Sequence, residues 1–236
     1  MPNDLQATFK HVSSIVQLVY EKQPATSGLP DPGELIEAIN QFFVIYERLG
    51  NIPEQNPSLN KDSISQIGDQ TIRCLTELAN WADKLDLPQE KAILEEVLLA
   101  VVHWVIRHRG ELLELEAIVN ILADKANQTS EPKILSALYH VLNDVIDNTS
   151  AELKNDVDKS DPSRPWRMLN FNFAIIATRT MNTDLMTQAF DKLGRNLPED
   201  CPQFFEEGLR QSEKPVYGPE IKTMMAEYFK KWTTLH

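Results

Sequence analysis

Fourteen prolines divide this chain of 236 residues into segments that each have the apolar periodicity of an α-helix. Proline has no backbone N–H, so a helix tolerates it in the first turn but not in the interior. Nearly every proline here falls at the boundary between two periodic segments. No segment between them alternates apolar and polar residues as a half-buried strand does. The sequence therefore predicts an all-α protein.

About nine or ten helices are expected from the apolar stripes and their stop signals. The stripes cover approximately residues 4–21, 35–49, 64–85, 88–108, 112–126, 134–145, 165–180, 183–193, 201–211 and 221–232. Short turns between them, such as the one at Gly110, predict successive antiparallel hairpins, arranged as an α-α superhelix of solenoid type or as an irregular bundle. We expect one domain over residues 1–236, with 51–60 as the place for a flexible boundary.

Two of the predicted helices have no polar face over much of their length, and a helix of that kind must be covered on every side. They are the fourth, which is apolar from Val97 to Ile106, and the seventh, from Pro165 to about Thr180. We expect both to be central. The side chains expected to be nearly inaccessible are Leu98, Val102, Phe173 and Ile176. In the sixth helix, the expected buried stripe is Ile134, Leu138, Val141 and Val145.

Net charge and cysteine content restrict the classes of function. The formal charge is −12, whereas affinity for nucleic acid comes mostly from basic side chains that neutralise phosphates. The longest apolar run is half the length that a bilayer requires, and the first helix lacks the features of a signal peptide. Cys74 and Cys201 lie on separate predicted helices, which indicates free thiols in a reducing cytoplasm. We therefore expect a cytoplasmic protein that binds neither nucleic acid nor membrane.

Four acidic residues suggest an enzymatic alternative. Asp144 and Asp147, like Glu111 and Glu114, are three residues apart, so each pair shares a helix face and could bind Mg²⁺. Together they would suit a Mg²⁺-dependent phosphohydrolase. The plainer interpretation is that Glu111 and Glu114 lie in the first turn of the fifth helix, where acidic side chains interact favourably with the helix dipole. Asp144 and Asp147 would then form a solvated face.

Two histidines suggest a third class, a small-molecule pocket between the fourth, sixth and seventh helices. His103 lies within the apolar fourth helix, and His140 has Asp144 one turn beyond it, the spacing of a carboxylate that orients a general base. No serine or cysteine nucleophile accompanies them. The plainer interpretation is a satisfied core histidine and a surface His140–Asp144 pair.

The segment that most resembles a recognition element is Arg164-Pro165-Trp166-Arg167. Tryptophan and arginine are the residues most enriched where binding energy concentrates at protein interfaces. The alternative is that Trp166 fills the core where the seventh helix begins. The polar stretch that precedes it, residues 147–164, has no apolar stripe, and we expect it to contribute little burial and to be mobile.

The sequence contains no glycine-rich phosphate loop, nucleophile elbow or zinc-ligand pattern. We therefore expect a non-catalytic helical protein without a cofactor that presents a grooved surface to another protein or peptide. Arg164, Trp166, Arg167, His103 and His140 are the candidate binding residues. The Mg²⁺-dependent enzyme and the small-molecule-binding protein remain the alternatives.

We predict that the chain forms no sub-micromolar complex with DNA or RNA at physiological salt, because its charge is −12 and it lacks a basic face. Fluorescence anisotropy with labelled single- and double-stranded oligonucleotides measures this directly. A tight complex that weakens steeply as salt is added would contradict the prediction.

Overall fold

The computed structural model describes residues 2–22, 28, 30–49, 60–155, 159 and 161–234. Eleven α-helices account for most of them, and in this part of the chain the only β-pairing is an isolated bridge between Leu112 and Thr149. The all-α prediction is confirmed. The helices are α1 (Pro2–Lys22), α2 (Pro32–Leu49), α3 (Lys61–Lys84), α4 (Pro88–Arg107), α5 (Glu116–Asn127), α6 (Pro132–Asn148), α7 (Ala151–Lys154), α8 (Pro165–Arg179), α9 (Thr183–Asn196), α10 (Cys201–Ser212) and α11 (Pro219–Thr234).

Prolines and short polar side chains set where the helices begin. Pro88 and Pro165 occupy the first positions of α4 and α8, where the missing N–H breaks no helical hydrogen bond. Asn60 accepts a hydrogen bond from the Ser63 N–H at the start of α3, and Asn182 accepts from the N–H groups of Asp184 and Leu185 in α9. Each amide oxygen thus satisfies donors that the helix itself leaves unpaired.

The chain forms two compact units. Unit 1 comprises Met1–Ile118 and Asn148–Ser150, and unit 2 comprises Val119–Asp147 and Ala151–His236. The division falls within α5. Residues 51–59, which make up nearly all of the predicted flexible boundary, lie outside the described residues, and Asn60 is the cap of α3.

Unit 1 is built on close packing between α3 and α4. A Cβ placed on Gly68 of α3 would stand 2.2 Å from Cγ2 of Val105 in α4, so the two backbones approach where glycine leaves room. Leu98 and Val102 of α4 are buried, as predicted. His103, between Val102 and Trp104, faces outward. Thus α4 is central but is not covered on every side.

The segment between α4 and α5 differs from the prediction. The fifth helix begins at Glu116, one turn later than the apolar stripe at Leu112 suggests. Leu112 instead exchanges backbone hydrogen bonds with Asn148 and Ser150. Because Leu112 is held in this extended pairing, it cannot contribute to a helix, and the short turn expected at Gly110 is replaced by an extended connection.

The polar stretch at 147–164 begins with ordered, buried structure. Asp147 and Asn148 complete α6, while Thr149 and Ser150 are only 1% and 5% exposed. The expectation of little burial is therefore wrong for this part, because the bridge to Leu112 draws it into unit 1. Residues 156–158 and 160 lie outside the described residues.

Unit 2 encloses the buried face of α8. Phe173 and Ile176 are 1% and 2% exposed, as predicted, and Phe173 stacks on Tyr139 of α6 with ring centroids 4.6 Å apart. This stacking turns a face of α6 toward the core that differs in part from the expected stripe. Ile134 and Val141 are therefore exposed. Leu138 and Val145 of the expected stripe are buried as predicted, and the other buried side chains of α6 are Leu135, Tyr139, Leu142 and Ile146.

Helix α11 completes unit 2 through its aromatic residues. Tyr228 stacks on Phe205 at 5.2 Å and donates a hydrogen bond from its hydroxyl to Asp191 at 2.9 Å. Burial, followed by this bond to a carboxylate, raises the pKa of Tyr228 above its usual range. A Cβ on Gly194 would stand 2.5 Å from Cζ2 of Trp232. Only Ile221 and Met225 of α11 are fully buried, so its stripe is partly exposed.

We predict that Gly68→Ala lowers the stability of the protein, although glycine-to-alanine changes within helices usually raise it by about 1 kcal/mol. The new methyl group would overlap Val105, a short and stiff side chain, at a cost of about 1–3 kcal/mol. Urea unfolding followed by circular dichroism provides the measurement.

Gly208→Ala in α10 is the matched control. Its Cβ would meet only the side chain of Met225, with the sulfur at 3.0 Å and Cε at 3.5 Å, and methionine is flexible enough to move aside. We expect a change between zero and about 1 kcal/mol of stabilisation. Equal stabilisation by both substitutions would contradict the close approach of α3 and α4.

Candidate functional site

A cleft of about 460 Å³ lies wholly within unit 2, between α8 and α10. Tyr217, from the loop before α11, and Met225 of α11 also border it. The α8 wall consists of Arg167, Phe171, Ile175, Thr178 and Arg179, and the α10 wall of Gln203, Phe204, Glu207, Gly208, Gln211 and Ser212. This volume is in the range of sites that hold ligands or the side chains of a partner.

The cleft arises because α8 has two apolar faces. Phe173 and Ile176 lie on the face that unit 2 buries, whereas Phe171 and Ile175 are one turn apart on another face. Ile175 is 45% exposed, while the neighbouring Ile176 is 2% exposed. The α8 wall extends over twelve residue steps from Arg167 to Arg179, or about 18 Å at the rise of an α-helix.

Paired contacts show that α8 and α10 run side by side in the same direction. Arg167 bonds to Asp200 at the start of α10, and four residues further along both helices Phe171 meets Phe204 with ring centroids 4.9 Å apart. The guanidinium of Arg167 lies 4.0 Å from the centre of the Phe171 ring, within cation–π distance. The two phenylalanines thus form an aromatic floor.

Most polar groups that line the cleft already have partners within the chain. The Thr178 hydroxyl donates to the Ala174 carbonyl, and the Ser212 hydroxyl donates to the Leu209 carbonyl. Gln211 donates to Glu207 at 2.6 Å. With these bonds made, the surface that the cleft offers to a ligand is chiefly apolar.

Arg179, the last residue of α8, has a different environment. One of its terminal nitrogens donates to the backbone carbonyl of Thr129 at 2.6 Å. Among the described residues, the hydrogen-bond partner of Arg179 is this carbonyl group, which carries no charge. No carboxylate of the described residues forms an ion pair with Arg179, so its positive charge lies beside the cleft.

The predicted recognition segment is divided between the core and the cleft. Trp166 is 4% exposed and belongs to the core of unit 2. Arg164 and Arg167 both bind Asp200, at 3.1 and 2.6 Å, and each side chain is 11% exposed. Arg167 reaches the cleft wall, whereas Arg164 and Trp166 are not among the residues that line the cleft.

The remaining lining residues were not singled out from the sequence. Phe171 and Ile175 belong to a helix that is apolar nearly all round, so the pattern could not distinguish the buried face from the open one. Gly208 follows two glutamates and shows no motif. The useful signal was the spacing of Phe171, Ile175 and Arg179 at intervals of one turn.

The four acids of the enzymatic alternative make separate contacts. Glu111 pairs with Lys61 at 2.7 Å, and Asp147 pairs with Lys192 at 2.6 Å. Glu114 accepts hydrogen bonds from two N–H groups at the start of α5, and Asp144 is exposed on α6. Across the described ranges, no three His, Cys, Asp or Glu side chains are grouped so that they could hold a metal ion.

The two candidate histidines are both exposed. His103 lies on the outer face of α4 and His140 on the outer face of α6. His140 makes an edge contact with the ring of Tyr139 at 5.3 Å. Neither imidazole lines the cleft.

Cys74 and Cys201 are buried free thiols, as predicted. Burial, with a further contribution from the nearby Asp200 carboxylate, raises the pKa of Cys201 to about 12, so this thiol stays protonated and unreactive at neutral pH. Of the helices described, none combines the length and the apolar character needed to cross a membrane.

The chain matches no known protein-family model, no curated protein and no solved structure. Its class is established by its own helices, which make it an all-α protein. The cleft is the feature of the molecule from which a function can be inferred.

We predict that Asp200→Asn destabilises the protein by about 2–3 kcal/mol. The substitution leaves two largely buried guanidinium groups without the carboxylate that they share, and removing the charged partner of a buried ion pair is costly. Thermal and urea unfolding of the purified variant measure the loss.

Glu199→Gln is the matched control, because Glu199 and its partner Lys159 are 70% and 55% exposed. We expect that change to lower the free energy of unfolding by less than about 1 kcal/mol. If the two variants were equally stable, Asp200 would not hold α8 and α10 together.

Proposed function

We propose that this protein is a non-catalytic, cytoplasmic interaction module, and that the cleft between α8 and α10 binds an amphipathic helix of another protein. The observation that carries the proposal is an open apolar cleft whose polar lining groups are largely satisfied within the chain. Catalytic sites and small-molecule sites instead place polar groups where they can reach the ligand. An apolar cleft in which most polar groups are already bonded within the chain suits the apolar side chains of a protein partner.

The shape of the cleft favours a helix as the bound element. Both walls are faces of helices that run side by side, and the longer wall, on α8, extends about 18 Å. A partner helix of about twelve residues has the same length and would present apolar side chains at positions i, i+4 and i+7. The aromatic floor of Phe171 and Phe204 supplies the surface for the central side chain, and Gly208 leaves room above it.

The cytoplasmic location is supported by the two unpaired thiols. An oxidising compartment promotes disulfides, whereas a reducing one preserves free cysteine.

Selection from a displayed library of helical peptides tests the proposal. The library fixes apolar residues at i, i+4 and i+7 and randomises the other positions. We expect enriched peptides to bind the wild-type protein at least tenfold more tightly than the Ile175→Glu variant, because a charge at the centre of the cleft would be desolvated by the bound helix.

Ile134→Glu is the matched control. Ile134 lies on α6 in the same unit and is 46% exposed, against 45% for Ile175, but it does not line the cleft. Binding should be unchanged in this variant. The proposal is wrong if no peptide is enriched, or if the enriched peptides bind the Ile175→Glu variant as well as the wild type.

A further inference from the structure

The charge on Arg179 distinguishes one end of the cleft from the other. At the first end, Arg167 is paired with Asp200. At the second end, Arg179 donates to the uncharged carbonyl of Thr129. An arginine has five N–H donors in a planar fork that matches a carboxylate. After its bond to Thr129, Arg179 still has donors for a second acceptor.

A cation in the last turn of a helix also has an ordinary role, which is to interact with the negative end of the helix dipole. That role explains a basic residue near the end of α8. It does not require the residue to border an apolar cleft, as Arg179 does. The ordinary role affects stability, whereas recognition of a ligand affects which ligands bind, and the two can be measured separately.

We infer that the partner helix carries an Asp or Glu that binds Arg179, so that the cleft selects acidic amphipathic helices and fixes their direction. This inference rests on the proposed function. Besides the two arginines, the charged residue that lines the cleft is Glu207, which is paired with Arg210 and accepts a hydrogen bond from Gln211. An acidic side chain at the Arg179 end therefore meets an unbalanced positive charge.

The position of the acid follows from the geometry of α8. Phe171, which forms the floor with Phe204, lies eight residues before Arg179. Eight residues of helix span about 12 Å, and a partner helix lying along the trough covers this distance in about two turns. The acidic residue should therefore stand seven or eight positions from the apolar side chain that rests on Phe171.

A charge-reversal selection tests this inference with the same peptide library. From the wild-type protein we expect Asp and Glu to be enriched several-fold at that position. From Arg179→Glu we expect Lys and Arg to be enriched at the same position. Arg195→Glu, an exposed arginine of α9 that does not line the cleft, is the matched control and should keep the acidic preference.

Affinities of single peptides complete the test. Replacing the selected Glu by Gln should weaken binding to the wild type about tenfold, as expected for loss of a charge-assisted bond, and the difference should shrink as salt is added. Arg179→Gln removes the charge without reversing it and should lose the acidic preference, so a folding defect of Arg179→Glu would not leave the inference untested.

The possible outcomes distinguish a failure of this inference about Arg179 from a failure of the proposed helix-binding function. Peptides that depend on Ile175 but show no acidic preference would overturn the role of Arg179 and leave the helix-binding cleft intact. If no peptide depends on Ile175, both are wrong. Binding of dodecanoate that depends on both Ile175 and Arg179, with no peptide selected, would overturn both in favour of an amphiphilic anion as the ligand.

Discussion

The packing of α8 is the constraint on which unit 2 depends. This helix carries apolar side chains around most of its circumference, and such a surface is stable in water only where another element covers it. Unit 2 covers the face that contains Phe173 and Ile176, but it leaves Ile175 45% exposed. The uncovered apolar face becomes one wall of the cleft, so the same helix supplies both the core of the unit and its binding surface.

The second wall depends on Asp200. Its carboxylate binds Arg164 and Arg167 at the start of α8, and these ion pairs fix where α10 begins relative to α8. The aromatic pair one turn later keeps the helices in that register. Gly208 then leaves the trough open where a larger side chain would meet Met225. The depth of the cleft therefore comes from an ion pair, an aromatic contact and a missing side chain, each contributed by a different part of the sequence.

These features explain how far the sequence alone could be interpreted. Pro88 and Pro165 marked helix starts correctly, because the missing N–H acts locally. Leu112 was misassigned, because its partner Thr149 is distant in sequence. Val141 was expected in the core, but stacking of Tyr139 on Phe173 buries another face of α6. Periodicity located the helices, whereas the choice of face, and with it the cleft, depended on tertiary contacts.

The central claim is that one apolar face of α8 is open while the adjacent face is buried, and methyl NMR with a soluble paramagnetic probe tests it most directly. Ile175 and Ile176 are neighbours in sequence with exposed fractions of 45% and 2%. The structure predicts strong relaxation of the Ile175 methyl signals by the probe and little effect on those of Ile176. Equal protection of both residues would show that the cleft is closed in solution and would contradict the account.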